Sequence, residues 1–440
     1  MTENTKKYII LVTPFPAVGH VNSVAGALKP LLRRGHRIIF ILEDAFAGKV
    51  APYGFEEHLM SFKKPEDSQK PGEIYAKRLI EGKVLGNYSP EEKMARMSSM
   101  FDETQYRDDN LVFEPTVKKA IEQYKPDLIY IDHFNLLPSI YYSGIPWIKH
   151  ISTTPLFYIL DDNVIPSGSG YSSDTETEKI KEFNKLRQPI FYSNWYNEFV
   201  QSFGYESFPS DLMMPETQKL VVYGYPDELN YPYVRNLDWF NLEAFVKVPM
   251  TSQLTLQDYV PKEFIENNLN GNFSGKYIYI SMGSMGSIDL DLMKRLVSVL
   301  GRTNHKYIVS KGPRHNEFEL ANNMYGDRFL PQTKLLPLVD LVITHGGNNT
   351  FTETFSVGKP MIIMPLFTDQ FDNAQRIKET GLGARLHPYE YKDEELIETI
   401  DKLLNDEQLH SRLISAAKRI HSIDKHEELA DKIEHLLSNK

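Results

Sequence analysis

The sequence predicts an α/β protein built from two doubly wound parallel-sheet domains that face a central cleft. Short apolar, β-branched runs alternate with amphipathic helical stretches, and this alternation occurs once in each half of the chain. The length of 440 residues is too great for one core and suits two domains of roughly 200 residues each. Because such sheets bind ligands outside the carboxyl ends of their strands, the functional residues should follow strands.

The individual elements are predicted from the period of the apolar residues. The first helix is predicted over 21–34 and ends at Gly35. The predicted strands of the first half cover 8–12, 37–42, 128–132, 147–151 and 220–223. Those of the second half cover 277–282, 307–310, 341–344 and 361–364.

A proline-rich stretch with neither helical nor strand periodicity separates the two halves. We therefore predict a first domain over 1–242, a linker over 243–262 and a second domain over 263–424. The last segment, 425–440, is charged and helix-periodic, and we expect a helix that packs back on the first domain.

Composition and charge exclude several classes of function. The formal net charge of −10 argues against a nucleic-acid partner, although local amides and dipoles can still bind a phosphate. Without any cysteine, the chain forms no disulfides and does no thiolate chemistry. The apolar run 8–12 is too short for a signal peptide, and no window of about 20 apolar residues occurs. We expect a cytoplasmic protein without a membrane anchor.

A histidine and an aspartate of the first half are candidates for acid–base chemistry. His20 is expected in the loop between the first strand and the first helix, where a neutral imidazole could accept a proton from a hydroxyl. Asp132 is expected at the carboxyl end of a later parallel strand, on the same edge of the sheet as His20, where it could orient that imidazole. By position alone, helix capping, packing or a turn explains each of these residues at least as well as catalysis does.

Two loops of the second half follow strands and suit a diphosphate. Gly283 and Ser284 lie in the first loop, where small side chains let a phosphate approach the backbone amides. The second loop, 345–350, precedes a helix predicted over 349–357, whose free N–H groups and dipole attract anions. Since strand-to-helix turns are commonly rich in Gly and Ser, the first loop alone is a weak signal.

Several side chains of the second half could contact the rest of a nucleotide sugar. In the loop 345–350, Gly347 allows close backbone approach, and His345 and Thr350 offer donors to phosphate oxygens. Glu353, one turn further on, could accept from two ribose hydroxyls or simply occupy the first helical turn. Asp369 and Gln370 could hold vicinal sugar hydroxyls, although such pairs also cap ordinary helices.

These motifs together resemble the UDP-glycosyltransferase family, the inverting enzymes with two Rossmann-like domains known as the GT-B fold. Order and spacing match the family signature over about 45 residues, from Phe329 to Gln370, and Gly19-His20 also matches. The resemblance implies that His20 is the general base and Asp132 its acidic partner. It further implies donor-binding roles, from uracil through ribose and diphosphate to sugar, for Phe329, Gln332, Gly283, Ser284, His345, Gly347, Asn348, Asn349, Thr350, Glu353, Asp369 and Gln370.

The function implied is transfer of a sugar, glucose in many members with an acid–glutamine pair, from a UDP-sugar to a hydroxyl of a small lipophilic or phenolic acceptor. A role in detoxification follows only from the family. No cofactor and no metal are implied, and we interpret Asp289-Leu290-Asp291 as acids at a helix start rather than as a metal-binding DxD motif. A UDP-sugar 2-epimerase on the same fold and a non-catalytic UDP-sugar-binding protein remain alternatives.

Aromatic residues cluster in two stretches of the first half. They could line an apolar acceptor pocket or simply fill the core, and both interpretations stay open. The first stretch comprises Phe191, Tyr192, Trp195, Tyr196, Phe199, Phe203, Tyr205 and Phe208, and the second Tyr223, Tyr225, Tyr231, Tyr233, Trp239 and Phe240.

Overall fold

The protein contains two parallel β-sheets, one in each half of the chain, with helices packed on them. The computed structural model describes residues 6–61, 79–100, 104–192, 194–209, 212–217, 219–267 and 275–439. Within these residues the first sheet has seven strands and the second has six. The prediction of two doubly wound domains is therefore confirmed.

All strands of both sheets pair in parallel, as expected for strands joined by helical crossovers. The first sheet is formed by β1 (Ile9–Pro14), β2 (Arg37–Glu43), β3 (Glu56–Met60), β4 (Leu128–Asp132), β5 (Trp147–Ile151), β6 (Val221–Tyr223) and β7 (Phe240–Asn241). The second is formed by β8 (Tyr277–Ser281), β9 (Lys306–Ser310), β10 (Met324–Asp327), β11 (Leu341–Thr344), β12 (Met361–Ile363) and β13 (Ala384–Arg385).

The described helices are α1 (Val18–Arg33), α2 (Pro90–Met100), α3 (Thr104–Tyr124), α4 (Pro138–Tyr141), α5 (Thr177–Phe191), α6 (Asn194–Ser202), α7 (Pro232–Arg235), α8 (Lys262–Glu266), α9 (Gly283–Gly286), α10 (Leu290–Leu300), α11 (Gln332–Leu335), α12 (Asn348–Ser356), α13 (Asp369–Glu379), α14 (Asp393–Asn405), α15 (Glu407–Ser422) and α16 (Lys425–Ser438). None of these helices combines the length and the apolar character needed to cross a membrane.

Alternate residues of the buried strands enter separate apolar clusters on the two faces of the first sheet. Leu11 packs in one cluster, while its neighbours Ile10 and Val12 pack in the other. The period of two along a strand produces this division, and both faces are covered by helices. Strands buried on both faces read as continuous apolar runs, which explains why the central strands were predictable.

The strand order places one reversal of direction in each sheet. The first sheet runs β3-β2-β1-β4-β5-β6-β7, and the second runs β10-β9-β8-β11-β12-β13. The chain order therefore reverses between β1 and β4 in one sheet and between β8 and β11 in the other. Ligands of open α/β sheets bind at such switch points, outside the carboxyl ends of the strands.

Some elements differ from the prediction, chiefly at helix starts and sheet edges. Helix α1 begins at Val18 instead of residue 21, so His20 lies in its first turn and not in a loop. Ala17 is extended, and its carbonyl already accepts from the Val21 amide at 3.1 Å, which starts the helix early. The edge strands β3, β7, β10 and β13 were missed because they are short or polar, and an edge strand has only one hydrogen-bonded neighbour.

The C-terminal helix packs against the first domain. Leu429 and Ile433 on α16 lie in the same apolar cluster as Val24 and Leu28 on α1. Arg34, just after α1, donates to carboxylates on α16, including that of Glu434 at 2.7 Å. The chain thus returns to the domain in which it began.

Candidate active site

A histidine–aspartate pair stands at the switch point of the first sheet. His20 Nδ1 lies 3.0 Å from Asp132 Oδ2, and the side chains are 15% and 5% exposed. The pairing of β1 with β4 brings them together, because Pro14 and Asp132 are register partners at the carboxyl ends of the two strands. A proton on Nδ1 shared with this carboxylate leaves Nε2 with the lone pair that a general base requires.

Ser152 is a third member of this group that the sequence reasoning missed. Its hydroxyl lies 2.8 Å from His20 Nδ1 and donates to Asp132 Oδ1 at 3.1 Å. Ser152 directly follows β5, which pairs with β4. A polar residue at the carboxyl end of a neighbouring parallel strand was therefore the signal that could have found it.

The Asp132 carboxylate is stabilised in its ionised form. Burial acts to raise its pKa, but the charge and hydrogen bond of His20 and the hydrogen bond from Ser152 outweigh burial, so the net pKa is lowered. Two other histidines lie close to Asp132, and burial lowers the pKa of both His133 and His150 to about 4. Both are therefore neutral near pH 7, and His20 is the imidazole placed against a carboxylate.

In the second domain, the imidazole of His345 is enclosed by two glycines. A Cβ atom on Gly283 or on Gly347 would lie 2.6 Å from His345 Nε2, so a side chain at either position would force this buried ring to shift. Gly283 also has a φ of +67°, which favours glycine. Burial lowers the pKa of His345 to about 4, so the ring is neutral. The two predicted diphosphate loops, after β8 and β11, therefore meet at this ring.

Three of the predicted donor residues form one hydrogen-bonded cluster. The Gln332 side-chain nitrogen donates to Glu353 Oε2 at 2.7 Å and to Thr350 Oγ1 at 3.2 Å. Glu353 is buried, and burial raises its pKa to about 7 despite the hydrogen bond from Gln332. A buried carboxyl with free acceptor capacity suits a ligand that brings hydroxyl donors.

Asp369 and Gln370 begin helix α13 at the carboxyl end of β12. Burial raises the pKa of Asp369 to about 6, against the hydrogen bond from Thr368 and the electrostatic influence of His20. His20 of the first domain is therefore close enough to Asp369 of the second domain to affect its pKa. The Gln370 side-chain oxygen accepts from the Leu366 and Phe367 amides at 2.9 and 3.2 Å, so this oxygen supports the loop that carries the pair.

The loop 345–350, with the helix start that follows it, is the predicted donor loop, and it contacts the first domain at two points near His20. Asn349 Nδ2 donates to the Gly19 carbonyl at 2.8 Å. The side-chain amide of Asn348 also points to the first domain, where it donates to backbone carbonyls that include that of Ser152, at 3.1 Å. The first turn of α12 therefore contacts the residue that precedes His20 and the serine beside its ring.

Two further predicted donor residues are partly or largely exposed. Phe329 is 59% exposed, and the Arg328 guanidinium lies 5.3 Å from the centre of its ring. Ser284 is half-buried in the short helix α9, next to Gly283. An exposed aromatic face at the rim of a site can stack on a planar base.

The aromatic stretches of the first half belong mainly to the core. Trp195, Tyr196, Phe199 and Phe208 are buried in one apolar cluster, and their rings pack in edge-to-face, tilted and stacked arrangements. Core packing therefore accounts for these four residues. Their spacing in sequence does not reveal which of them could reach the cleft.

Different aromatic residues stand beside the histidine. The rings of Phe15 and Phe134 lie 5.1 and 5.8 Å from that of His20, centre to centre, and 4.7 Å from each other. Both side chains are half-buried. They follow β1 and β4, so they lie at the same switch point as His20 and Asp132.

The DxD sequence starts helix α10. Asp289 is its N-cap and accepts from the Leu292 amide at 3.1 Å, and it also accepts from the Tyr389 hydroxyl at 2.8 Å. Asp291 lies in the first turn. Both acids therefore have the helix-start positions that the sequence predicted.

Sequence relatives of the chain are glycosyltransferases. NDP-glycosyltransferase YjiC of Bacillus subtilis is 23% identical over 434 residues, which cover 98% of this chain and 97% of that protein. Human UDP-glucuronosyltransferase 1A7 is 33% identical over 159 residues, and the match covers 35% of this chain and only 29% of the human protein.

Solved structures share the whole fold. The glycotransferase of kitacinnamycin superposes with a TM-score of 0.67 at 18% identity, over 98% of this chain and 100% of that one. VinC, solved in complex with DTDP, superposes with a TM-score of 0.66 at 13% identity, again over 98% and 100% of the two chains.

The family assignment rests on a direct match to a family model. The model described as "UDP-glucoronosyl and UDP-glucosyl transferase" matches residues 182–429, which is more than half of the chain. This span includes the donor loop and the clusters around His345 and Glu353. The resemblance found in the sequence is thus confirmed, and the chain belongs to the UDP-glucoronosyl and UDP-glucosyl transferase family.

Proposed function

We propose that this protein transfers a sugar, glucose in the first instance, from a UDP-sugar to a hydroxyl of a small lipophilic or phenolic acceptor, with inversion at the anomeric carbon. The observation that carries the proposal is the His20–Asp132 pair, 3.0 Å apart, facing a donor loop whose Asn349 contacts Gly19 at 2.8 Å. A base and an anion-binding helix start then flank one cleft, as a displacement at the sugar requires.

The reaction proposed is a single in-line displacement. His20 Nε2 takes the proton of the acceptor hydroxyl while that oxygen forms a bond to the anomeric carbon, and the bond from this carbon to the UDP oxygen breaks. Asp132 stabilises the imidazolium that forms, since its lowered pKa keeps it ionised. An α-linked donor would give a β-glycoside, and no metal enters the reaction.

The leaving UDP gains negative charge, and the start of α12 is suited to stabilise it. Helix α12 begins at Asn348 after the Gly346-Gly347 pair, so its first backbone N–H groups have no partner within the helix. Groups fixed in this way need no reorganisation as the charge develops. The acidic net charge of the whole chain does not oppose this local field.

We propose that Phe15 and Phe134 form the apolar wall against which the acceptor lies. Phe134→Ala should raise the acceptor KM about tenfold, because a buried aromatic contact of this kind is worth about 1.5 kcal/mol or more. The donor KM should stay unchanged. Steady-state kinetics with a phenolic acceptor measures both values.

Phe203→Ala is the matched control for this wall. Phe203 belongs to the aromatic stretch assigned to the core, where its ring lies 5.3 Å from that of Phe199. A change of acceptor KM in Phe203→Ala, with none in Phe134→Ala, would place the acceptor elsewhere.

Donor affinity should depend on pH through Glu353. Its pKa is raised to about 7, so the carboxyl becomes protonated as the pH falls below 7 and can then accept fewer ribose hydroxyl bonds. We expect the Kd of UDP-glucose to rise by at most roughly tenfold per pH unit below that point. Isothermal titration between pH 5.5 and 8.5 measures it, and the diphosphate diester of UDP-glucose does not titrate in this range.

The variant Glu353→Gln identifies the titrating group. It should bind UDP-glucose more weakly than the wild type at pH 8 and show little pH dependence. Asp369, whose pKa is raised to about 6, and Asp372, whose pKa is raised to about 7, are further buried carboxyls on helix α13. An unchanged pH profile in Glu353→Gln would show that a group other than Glu353 causes the dependence.

The function itself is tested by incubating the protein with UDP-glucose and a panel of phenols, with UDP release and product formation followed together. Parallel reactions with UDP-glucuronate and dTDP-glucose define the donor, and EDTA should leave turnover unchanged. Formation of a β-glycoside in step with UDP supports the proposal. An epimerised sugar, or donor binding without turnover, would replace it by one of the two alternatives.

A further inference from the structure

We propose that Asn348 is a positioning residue that fixes the catalytic His20 relative to the diphosphate loop, and that its side-chain nitrogen does not bind the diphosphate. This inference rests on the proposed function and refines the assignment that the family resemblance implies for Asn348. It is carried by the hydrogen bonds of one buried amide that joins the two domains at the site.

The side-chain nitrogen of Asn348 is wholly committed to the first domain, while its Oδ1 is buried without a hydrogen-bond partner. Asn348 is 4% exposed, and its Nδ2 donates to the carbonyls of Ser152 and Thr153 at 3.1 Å and of Gly224 at 3.2 Å. An NH₂ group has two protons, so three acceptors already exceed its capacity. No proton remains for a phosphate oxygen.

The three carbonyls lie at the carboxyl ends of two strands. Ser152 and Thr153 follow β5, and Gly224 follows β6. Asn348 is the first residue of α12. One amide therefore ties the anion-binding end of a helix in the second domain to the edge of the first sheet that carries the base.

Ser152 connects this amide to the imidazole. Its carbonyl accepts from Asn348, while its hydroxyl lies 2.8 Å from His20 Nδ1 and donates to Asp132 at 3.1 Å. The next residue of the helix, Asn349, holds the Gly19 carbonyl at 2.8 Å. The first turn of α12 thus contacts the backbone just before His20 and the serine that bonds its ring.

Loss of the Asn348 amide should misplace the base rather than empty the donor site. The variants are Asn348→Ala, which removes all three bonds, and Asn348→Asp, which keeps the shape but turns an acceptor toward three carbonyls. We expect kcat with UDP-glucose and a phenol to fall by about 10- to 100-fold in both, as misplacement of about 1 Å does. The Kd of UDP-glucose, measured by titration calorimetry, should be little changed.

Asn87→Ala is the matched control. Asn87 Nδ2 also donates across the domain boundary, to Glu390 at 3.0 Å, but it is exposed and remote from the donor loop. Its removal should leave kcat unchanged. Thermal unfolding of every variant shows whether it is folded. If Asn348→Ala does not fold, the test is made with Asn348→Asp.

A double-mutant cycle with His20→Ala tests the route of the effect. If Asn348 acts through His20, then adding Asn348→Ala to His20→Ala should cost little further rate. Losses that multiply in full would overturn the inference, as would a weakened donor Kd with unchanged kcat in the single variant. If the wild type itself transfers no sugar, the proposed function fails, whereas normal turnover in both Asn348 variants removes only the positioning role.

Discussion

Replacing His20 by Ala should lower kcat by roughly 10²- to 10⁴-fold, because the acceptor oxygen would lose the base that takes its proton. The Kd of UDP-glucose should stay close to that of the wild type, since the proposed donor contacts lie in the other domain. Stopped-assay kinetics and calorimetric titration of the same preparation measure both quantities.

Two further variants make this result specific. Asp132→Asn keeps the shape of the partner but removes the charge that stabilises the imidazolium, so its kcat should also fall. His58→Ala removes a histidine of the same domain that instead contacts the Tyr124 hydroxyl, at 3.1 Å, and should be neutral for turnover. Full activity in His20→Ala would end the assignment of the base.

Replacing Gly346 by Ala should disrupt the donor loop. Gly346 has a φ of +85°, and an added Cβ would lie 2.4 Å from Cγ2 of the buried Ile363 on β12. Left-handed backbone and overpacking together should lower the free energy of unfolding by about 2–4 kcal/mol. Because the start of α12 must shift to relieve this contact, the Kd of UDP-glucose should rise at least about tenfold, or about 1.4 kcal/mol.

Gly48→Ala separates the two causes. Gly48 has a similar φ of +77°, but an added Cβ would meet nothing within 4 Å. In this control the free energy of unfolding should fall only by the cost of the left-handed backbone, about 1–2 kcal/mol. Its affinity for UDP-glucose should be normal. Chemical denaturation gives the free energies, and equal losses in the two variants would contradict the proposed crowding at Ile363.

The residues of the donor loop were predictable because their chemistry is local. A strand, a Gly pair and the start of a helix are contiguous in the chain, so His345, Gly347 and Thr350 had to meet wherever this segment folded. Gly347 belongs to the same segment, and a Cβ added there would lie 2.6 Å from His345 Nε2, whereas Gly283 reaches this ring only through the tertiary fold.

The roles of several side chains could not be read in this way, because contacts over long sequence separations decide them. Asn348 and Gly224 are 124 residues apart, and Ser152 and His20 are 132 apart, so no local pattern joins either pair. The positions of the aromatic residues likewise depend on tertiary contacts. Trp195 and Phe208 are buried in the core, whereas Phe15 and Phe134, isolated in sequence, stand beside the imidazole.

By itself the sequence determined the fold class, the family and the position of each loop, since periodicity and motif spacing are properties of short segments. The tertiary structure alone decided which side chains face the cleft and which tie the domains together. The reason is physical: parallel pairing of β1, β4 and β5 aligns three distant strand ends at one edge, and the amide of Asn348 reaches that edge only when the two sheets face each other.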